Sequence, residues 1–269
     1  MADPSAEPRE RPDAAAHARV AALSFFFPAH NEAENIEALV AEALAELPKL
    51  ADEFEIIAVD DGSRDATPEI ADRLAAGDPR VRVIHHRGNL GYGAAVRSGL
   101  RAARYDLVAF TDGDRQFRVA DVGRLLDRMA KTDDPDVVAG YRLRRADPII
   151  RTAYARAYRL ALSIFFRLDI RDVDCAFKLF KRQALEGIRL ESGGAFMSAE
   201  LLIKLKQRGR RIVEVGVPHY PRTAGSPTGA KPSVILRAVR DFWRLRIRLW
   251  TNRGAALDRG EPVVSSSPG

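Results

Sequence analysis

A repeated alternation limits what this chain can fold into: short apolar runs of strand length, each followed by a polar cluster and then a helix-period pattern. Leu23-Ser24-Phe25-Phe26-Phe27 reads as a buried strand stopped by Pro28, and a helix follows from about Asn31-Glu32. Its apolar positions Ile36, Leu39, Val40, Ala43, Leu44 and Leu47 recur at helical spacing. Glu55–Val59 is a second strand ending in Asp60-Asp61-Gly62-Ser63, with a helix from about Thr67 to Ala76 whose first turn holds Pro68. Val81–Ile84 is a third strand, Gly91-Tyr92-Gly93 opens a helix through Arg104, Leu107–Phe110 is a fourth strand and Asp136–Gly140 a fifth. Strands separated by helices predict an α/β fold with a mainly parallel sheet covered on both faces. In such sheets ligands bind beyond the carboxyl ends of the strands. Three polar clusters, His30-Asn31-Glu32, Asp60-Asp61 and Asp112-Gly113-Asp114, follow strand ends and so converge on one rim.

Asp112-Gly113-Asp114 can be a polar turn. It can also hold a hard divalent cation between two carboxylates, with further positions left for diphosphate oxygens. Its place after a buried strand, with Gln116 nearby, favours the second reading. Asp61 or Asp60 could accept a ring N–H from a uracil or guanine base, or cap the next helix. Gly88-Asn89-Leu90-Gly91-Tyr92-Gly93 could cradle phosphate or let a helix approach the sheet closely, and the spacing alone does not choose.

Taken in order, Pro28-Ala29-His30-Asn31-Glu32, Val59-Asp60-Asp61-Gly62-Ser63, Gly88-Asn89-Leu90-Gly91 and Asp112-Gly113-Asp114-Arg115-Gln116 resemble the motifs of family 2 glycosyltransferases. Gly140-Tyr141-Arg142, Asp174-Cys175-Ala176-Phe177-Lys178 and Val217-Pro218-His219-Tyr220-Pro221-Arg222 extend the likeness, most closely toward dolichol- or polyprenyl-phosphate sugar transferases. The resemblance covers residues 22–228. It implies a GT-A fold with a Rossmann-like nucleotide-binding half, a UDP- or GDP-linked sugar donor, and Mg2+ or Mn2+. By position, Pro28, Asn31, Glu32 and Asp61 would line the nucleoside pocket with Asp60 in support, and Gly91 and Gly113 would lie beside the nucleotide. Asp112 would face the ribose and diphosphate, with a share in the metal, while Asp114 and Gln116 would ligate it. Arg222 would sit on a loop closing over diphosphate and acceptor. The chain departs from the family pattern at His30, where Tyr or Phe is usual, at Ala176, and at Gly225-Ser226-Pro227-Thr228, where a lysine often ends the loop. Closure is then left to Arg222 or Lys231.

The formal net charge of +6 is unevenly spread. Residues 142–159 carry six Arg against one Asp, and residues 231–253 carry six Arg and one Lys against one Asp, so the remainder is net acidic. A chain polarised in this way seeks an anion. Nucleic acid is disfavoured as partner because the acidic strand ends would repel it. A phosphate acceptor is already anionic and needs cations to position it, a task suited to Arg142, with Arg144 and Arg145 equally readable as a solvated helix face. Asp174 could organise that acceptor, act as a base, or pair with Lys178 at helical spacing. The expected reaction is a single in-line displacement with inversion, involving Asp114, Asp174, Arg142 and Arg222. The alternative is a soluble hydroxyl acceptor, for which Asp174 or Glu200 would supply the base.

From Ser233 to Trp250, Leu236, Val239, Trp243, Ile247 and Trp250 align on a helical wheel, with Arg237, Arg240, Arg244 and Arg248 as a cationic stripe. Such a helix can lie in a lipid headgroup layer, dock on its own domain or bind a membrane-embedded protein. No apolar run approaches the about 20 residues of a membrane span, and the N-terminus lacks the apolar core of a secretory signal. The expectation is therefore a cytoplasmic, peripheral protein at the inner membrane face. Its expected divisions are a disordered tail at 1–20, the catalytic domain at 21–228, the basic helix at 229–253 and a second disordered tail at 254–269. The single Cys175 precludes an internal disulfide.

Overall fold

A computed structural model describes residues 17–131, 134–143, 149–222, 232–251 and 261–263. Both expected tails fall largely outside these residues, as do Arg144, Arg145 and the stretch 223–231 with Lys231. The chain runs β1 (Val20–Ala29), α1 (Ala33–Glu46), β2 (Ala51–Asp60), α2 (Thr67–Gly77), β3 (Val81–His85), α3 (Tyr92–Ala102), β4 (Leu107–Phe110) and α4 (Val122–Lys131). It continues with β5 (Val137–Arg142), α5 (Ile149–Phe166), β6 (Lys178–Lys181), β7 (Arg189–Leu190), α6 (Met197–Gln207), β8 (Ile212–Val217), α7 (Pro232–Thr251) and β9 (Glu261–Pro262).

Seven strands form one sheet in the order β3-β2-β1-β4-β6-β5-β8. Pairing is parallel except around β6, which runs against both β4 and β5. The alternation of strand side chains explains the three consecutive phenylalanines of β1. Phe25 and Phe27 pack with Ile36, Leu39 and Val40 of α1 and Leu125 of α4 on one face. Phe26 packs on the other with Val96 and Leu100 of α3, Leu162 of α5, Leu202 of α6 and Phe242 of α7. Helix α3 approaches this face so closely that a Cβ on Gly99 would lie 2.1 Å from the Phe26 ring.

Two expectations need correction. Strand β1 does not stop at Pro28 but continues to Ala29, paired with β2 through Asp60. The carbonyl of Phe26 accepts from Thr111 and that of Ala29 from Asp61, so the amide position of Pro28 faces the β4 side, where β4 has already ended. The missing N–H therefore costs no ladder bond. Asp174 and Lys178 are not at helical spacing either: the chain from Asp172 to Phe177 is irregular and Lys178 opens β6. That strand is held on both sides, by Phe110 opposite Lys178 in β4 and by Ala139 opposite Lys178 in β5.

Candidate active site

One side of the rim is assembled from the ends of β1, β2 and β3. The amide of Asp61 donates to Ala29 O at 2.8 Å, joining the first two strand ends. Asn31 adopts φ 58°, a left-handed conformation that asparagine tolerates. Its amide donates to Ser63 Oγ (3.0 Å), its side-chain oxygen accepts from Arg64 N (2.8 Å), and Glu32 N donates to Thr67 Oγ1 (2.9 Å). Asp60 turns inward. Burial would raise its pKa, but hydrogen bonds from Ser63 and His85 outweigh that and hold the carboxyl below its ordinary value. Asp61 is buried too, and its carboxylate accepts from Leu90 N (2.9 Å), Gly91 N (2.8 Å) and His86 Nδ1 (2.7 Å).

The glycine loop therefore directs backbone N–H groups at a carboxylate. Gly91 takes φ 96°, and a Cβ there would lie 2.7 Å from Gly193 O; one on Gly93 would lie 2.7 Å from Ser192 O. Close approach to residues 192–193 is what these two glycines provide, while Gly99 serves the packing of helix on sheet.

Asp112, Gly113 and Asp114 sit against this assembly at the end of β4. A Cβ on Gly113 would lie 2.7 Å from Pro28 O and 3.6 Å from Glu32 Cγ, so only glycine lets the turn close on β1. Burial pushes the Asp112 carboxyl up to about 6, the neighbouring Asp114 adds to this, and Tyr92, Lys178 and Arg142 oppose it. Glu32 is raised for the same first reason, burial, with Asn35 opposing and Asp114 contributing. Asp112 Oδ1 is sealed from solvent and has no hydrogen-bond partner among the described residues. Asp114 Oδ1 accepts from Gln116 N at 3.1 Å, and its Oδ2 accepts from Arg222 Nη2 at 2.6 Å. Gln116 donates through Nε2 to Tyr220 O (3.3 Å).

A divalent cation fits this donor set. Two crowded carboxylates, one with an orphaned oxygen, are costly to ionise together, and a hard cation removes that cost. Among the described residues no group of three or more His, Cys, Asp or Glu side chains converges on one point. The protein would thus supply an incomplete oxygen shell, as expected when substrate phosphates and water complete it.

Across the rim lies a second half built from the ends of β5, β6 and β8. Arg142 is held by Asp172, Nε to Oδ2 at 2.7 Å and Nη2 to Oδ1 at 2.8 Å. Burial alone would lower the guanidinium pKa, and the two-pronged pairing outweighs it and raises it. Lys178, almost fully buried, donates to the carbonyls of Val173 (3.1 Å) and Cys175, and burial lowers its pKa. The Cys175 thiol is pushed up to about 11 by burial, which makes it a poor nucleophile. Asp174 is exposed, and its charge is felt at Tyr92, Tyr158, Arg142 and Lys178. The segment after β8 folds along residues 116–118: Tyr220 N donates to Gln116 O (2.9 Å), His219 meets Phe117 edge-on and Arg118 covers the Tyr220 ring. That path delivers Arg222 to Asp114. Glu200 is placed elsewhere, buried with its oxygens accepting from the amides of Glu191 and Ser192 and paired with Lys204 at 2.8 Å.

The structure thus brings together Pro28, Glu32, Asp112, Gly113, Asp114, Gln116 and Arg222, and beside them Asn31, Asp60, Asp61 and Gly91. Arg142 and Asp174 belong to the opposite half. The sequence reading missed His85, His86 and Asp172. The two histidines stand directly after the apolar stretch of β3 as the aspartates do after β2, which is a readable signal. Asp172 carries none, since its partner is 30 residues away.

Strand order, the single reversed strand and the acidic rim are those of the GT-A fold. The fold of glucosyl-3-phosphoglycerate synthase from Mycobacterium tuberculosis, solved with phosphoglyceric acid, matches with a TM-score of 0.65 at 19% identity, over 83% of this chain and 79% of that one. The same enzyme with Mn2+, UDP and glucosyl-3-phosphoglycerate matches at 0.61 and 19% identity, over 92% and 89%. The sequence model for glycosyl transferase family 2 matches residues 24–189, and the chain belongs to that family. Glycosyltransferase AglD of Haloferax volcanii is 35% identical over 263 residues, which are 94% of this chain and 42% of that protein. Dolichyl-phosphate beta-glucosyltransferase ALG5C of Trichomonas vaginalis is 29% identical, over 72% of this chain and 62% of its own length. Undecaprenyl-phosphate 4-deoxy-4-formamido-L-arabinose transferase of Pseudomonas fluorescens is 32% identical, over 76% and 58%. The chain spans less than two thirds of the length of each of these three relatives.

Proposed function

We propose that this chain is an inverting glycosyltransferase that moves a sugar from a UDP- or GDP-linked donor to a polyprenyl phosphate at the cytoplasmic membrane face. The observation that carries this reading is the carboxylate pair Asp112 and Asp114, closed by Arg222 on one side and within reach of the charges of Arg142 and Lys178 on the other. Pro28, Asn31 and Asp61 receive the nucleoside, with Asp60 holding the Ser63 turn beneath them. Asp112, Asp114 and the Gln116 amide oxygen hold Mg2+ or Mn2+, which when bound neutralises charge developing on the departing diphosphate. Arg222 lies within reach of the same oxygens and adds a guanidinium to them. The acceptor phosphate is already ionised, so the opposite half has to position it rather than deprotonate it. Asp172 stiffens Arg142 for that purpose, and Asp174, exposed on the same half, helps organise the acceptor. The names of two relatives, which specify dolichyl phosphate and undecaprenyl phosphate, support a lipid phosphate acceptor.

The membrane surface is met by α5 and α7. Leu236, Val239, Trp243, Ile247 and Trp250, aligned on one stripe of α7, are all exposed, whereas Phe242 and Leu245 are buried against the domain. Leu160, Ile164 and Phe165 of α5 are exposed as well, and Phe165 meets Trp243 at 5.2 Å between ring centroids. Exposed Arg237, Arg240 and Arg244 border the stripe, in the arrangement that suits an anionic headgroup layer. Among the described residues no helix is long and apolar enough to cross a membrane.

The test incubates the protein with labelled nucleotide sugars and Mn2+, with and without polyprenyl phosphate. Lipid-soluble label that requires the polyprenyl phosphate, with inverted anomeric configuration, is the expected result. Label on a water-soluble hydroxyl acceptor would replace this reading with one in which the exposed Asp174 is the base, and a retained configuration would refute the single displacement.

A further inference from the structure

Strands β2 and β3 end in matched pairs: Asp60-Asp61 and His85-His86. Asp60 stands opposite His85 in the parallel register, and His86 N donates to Asp60 O at 2.9 Å. Each histidine then takes its own aspartate. His85 Nδ1 lies 2.9 Å from Asp60 Oδ2, and His86 Nδ1 lies 2.7 Å from Asp61 Oδ1. The far nitrogens reach different helices, His85 Nε2 to Asp72 Oδ1 of α2 (3.0 Å) and His86 Nε2 to Ser98 Oγ of α3 (2.8 Å).

The His86 pair is the consequential one, because its side chains are almost fully enclosed, 9% exposed for the histidine and 5% for the aspartate. A carboxylate can only accept, so Nδ1 carries the proton, and in the neutral ring Nε2 accepts from the Ser98 hydroxyl. Asp61 Oδ1 thereby receives His86 and Leu90 N, while Oδ2 receives Gly91 N. Three of roughly four acceptor sites on the carboxylate are filled. The two backbone donors belong to one glycine-bearing loop. Among the described residues His86 is the one side chain that donates to this carboxylate, tying it to the end of β3 and, through Ser98, to the body of α3.

We propose that His86 is a positioning residue for nucleobase recognition: through the Ser98–His86–Asp61 chain it fixes the plane of the Asp61 carboxylate and leaves one Oδ2 acceptor for a ring N–H. The chemistry selects bases that present a donor there, as uracil and guanine do, and disfavours bases that present only an acceptor. The inference rests on the reading that Asp61 faces the nucleoside, and the experiment separates the two.

Binding of UDP and of GDP to the full chain with Mn2+ is measured calorimetrically for wild type, Asp61→Asn, His86→Ala, His86→Asn and His86→Gln. The asparagine amide nitrogen occupies the place of Nδ1, whereas that of glutamine occupies the place of Nε2. His86→Ala and His86→Gln are expected to weaken the preferred nucleotide about tenfold, with His86→Asn within about threefold of wild type. In steady state the loss falls on the donor KM with kcat little changed. Wild-type affinity in His86→Ala or His86→Gln, or no advantage of His86→Asn over His86→Gln at equal melting temperature, overturns the role of His86. Unchanged binding in Asp61→Asn overturns the underlying reading of Asp61 instead.

Discussion

Replacing Asp112 with asparagine should make the metal-free protein more stable at neutral pH. The Asp112 carboxyl is pushed up from 3.8 to about 6, by burial first and by Asp114 second. A folded-state pKa above the unfolded value means that the folded state holds a proton which the unfolded chain releases. That contribution to stability is fully present below pH 3.8 and is lost as the pH rises through about 6. Above it the ionised group costs the fold the whole difference, which at 1.36 kcal/mol per unit is about 3 kcal/mol. Asparagine keeps the shape and an acceptor for Tyr92 and cannot ionise. In the presence of a chelator at pH 7.5, urea unfolding should show Asp112→Asn more stable by about 2–3 kcal/mol. Its melting temperature should be about 4–10 °C higher. At pH 4 the difference should shrink to about 0.5 kcal/mol. Mn2+ with nucleotide should raise the melting temperature of wild type and leave that of the variant nearly unchanged. A variant no more stable than wild type at pH 7.5, or a difference that persists undiminished at pH 4, would refute the electrostatic reasoning.

Other outcomes follow from single contacts. Arg222→Gln frees Asp114 Oδ2, so Mn2+ alone, titrated by electron paramagnetic resonance, should bind roughly 3–10-fold more tightly while sugar transfer falls by about 100-fold. Unchanged Mn2+ affinity would count against shared use of that oxygen. Asp172→Ala strands the buried Arg142 guanidinium and should cost about 3 kcal/mol in chemical denaturation, a loss that Asp172→Glu should partly recover. The double variant Ile164→Glu, Leu236→Glu alters two exposed side chains and should lower sedimentation with anionic vesicles at least tenfold, about 1.4 kcal/mol, with the melting temperature unchanged. Vesicle binding equal to wild type would remove α5 and α7 from the membrane surface.

What could be read from the sequence follows how local each cause is. The half proposed to hold the donor depends on four parallel strands whose polar caps sit next to them in the chain, so Asn31, Asp61, Asp112 and Asp114 could be placed on one rim from strand ends alone. The acceptor half depends on contacts that no spacing encodes. Arg142 is expected from the sequence to position a phosphate, yet its geometry is set by Asp172 in an irregular segment. Strand β6 has four residues and begins with a buried lysine, against every compositional cue for a central strand. Helix α7 shows a third kind of limit. A wheel finds the stripe from Leu236 to Trp250 correctly, but a helix with apolar residues on more than one side does not announce which side faces inward. Phe242 and Leu245 take the core, and the more prominent stripe is left outside.

The reversed direction of β6 also sets how the two halves of this sheet are tied together. Because β6 runs against its neighbours, its first residue, not its last, arrives at the rim, carrying the loop from Asp172 to Phe177 with it. Most residues that would hold the donor are therefore encoded before that strand, with Arg222 returning to Asp114 from beyond it, and those proposed to face the acceptor are encoded in and around it. The sheet's seam between the two is a ladder of four residues, Leu107–Phe110 against Lys178–Lys181, and side chains cross it as well, with the Phe110 and Phe180 rings stacked 6.1 Å apart and Phe26 in one core with Leu162 and Leu202. A chain joined in this way cannot exchange one half for that of a relative without matching the side chains that meet across the seam, so acceptor preference would change more readily by substitution within the loop from Asp172 to Phe177.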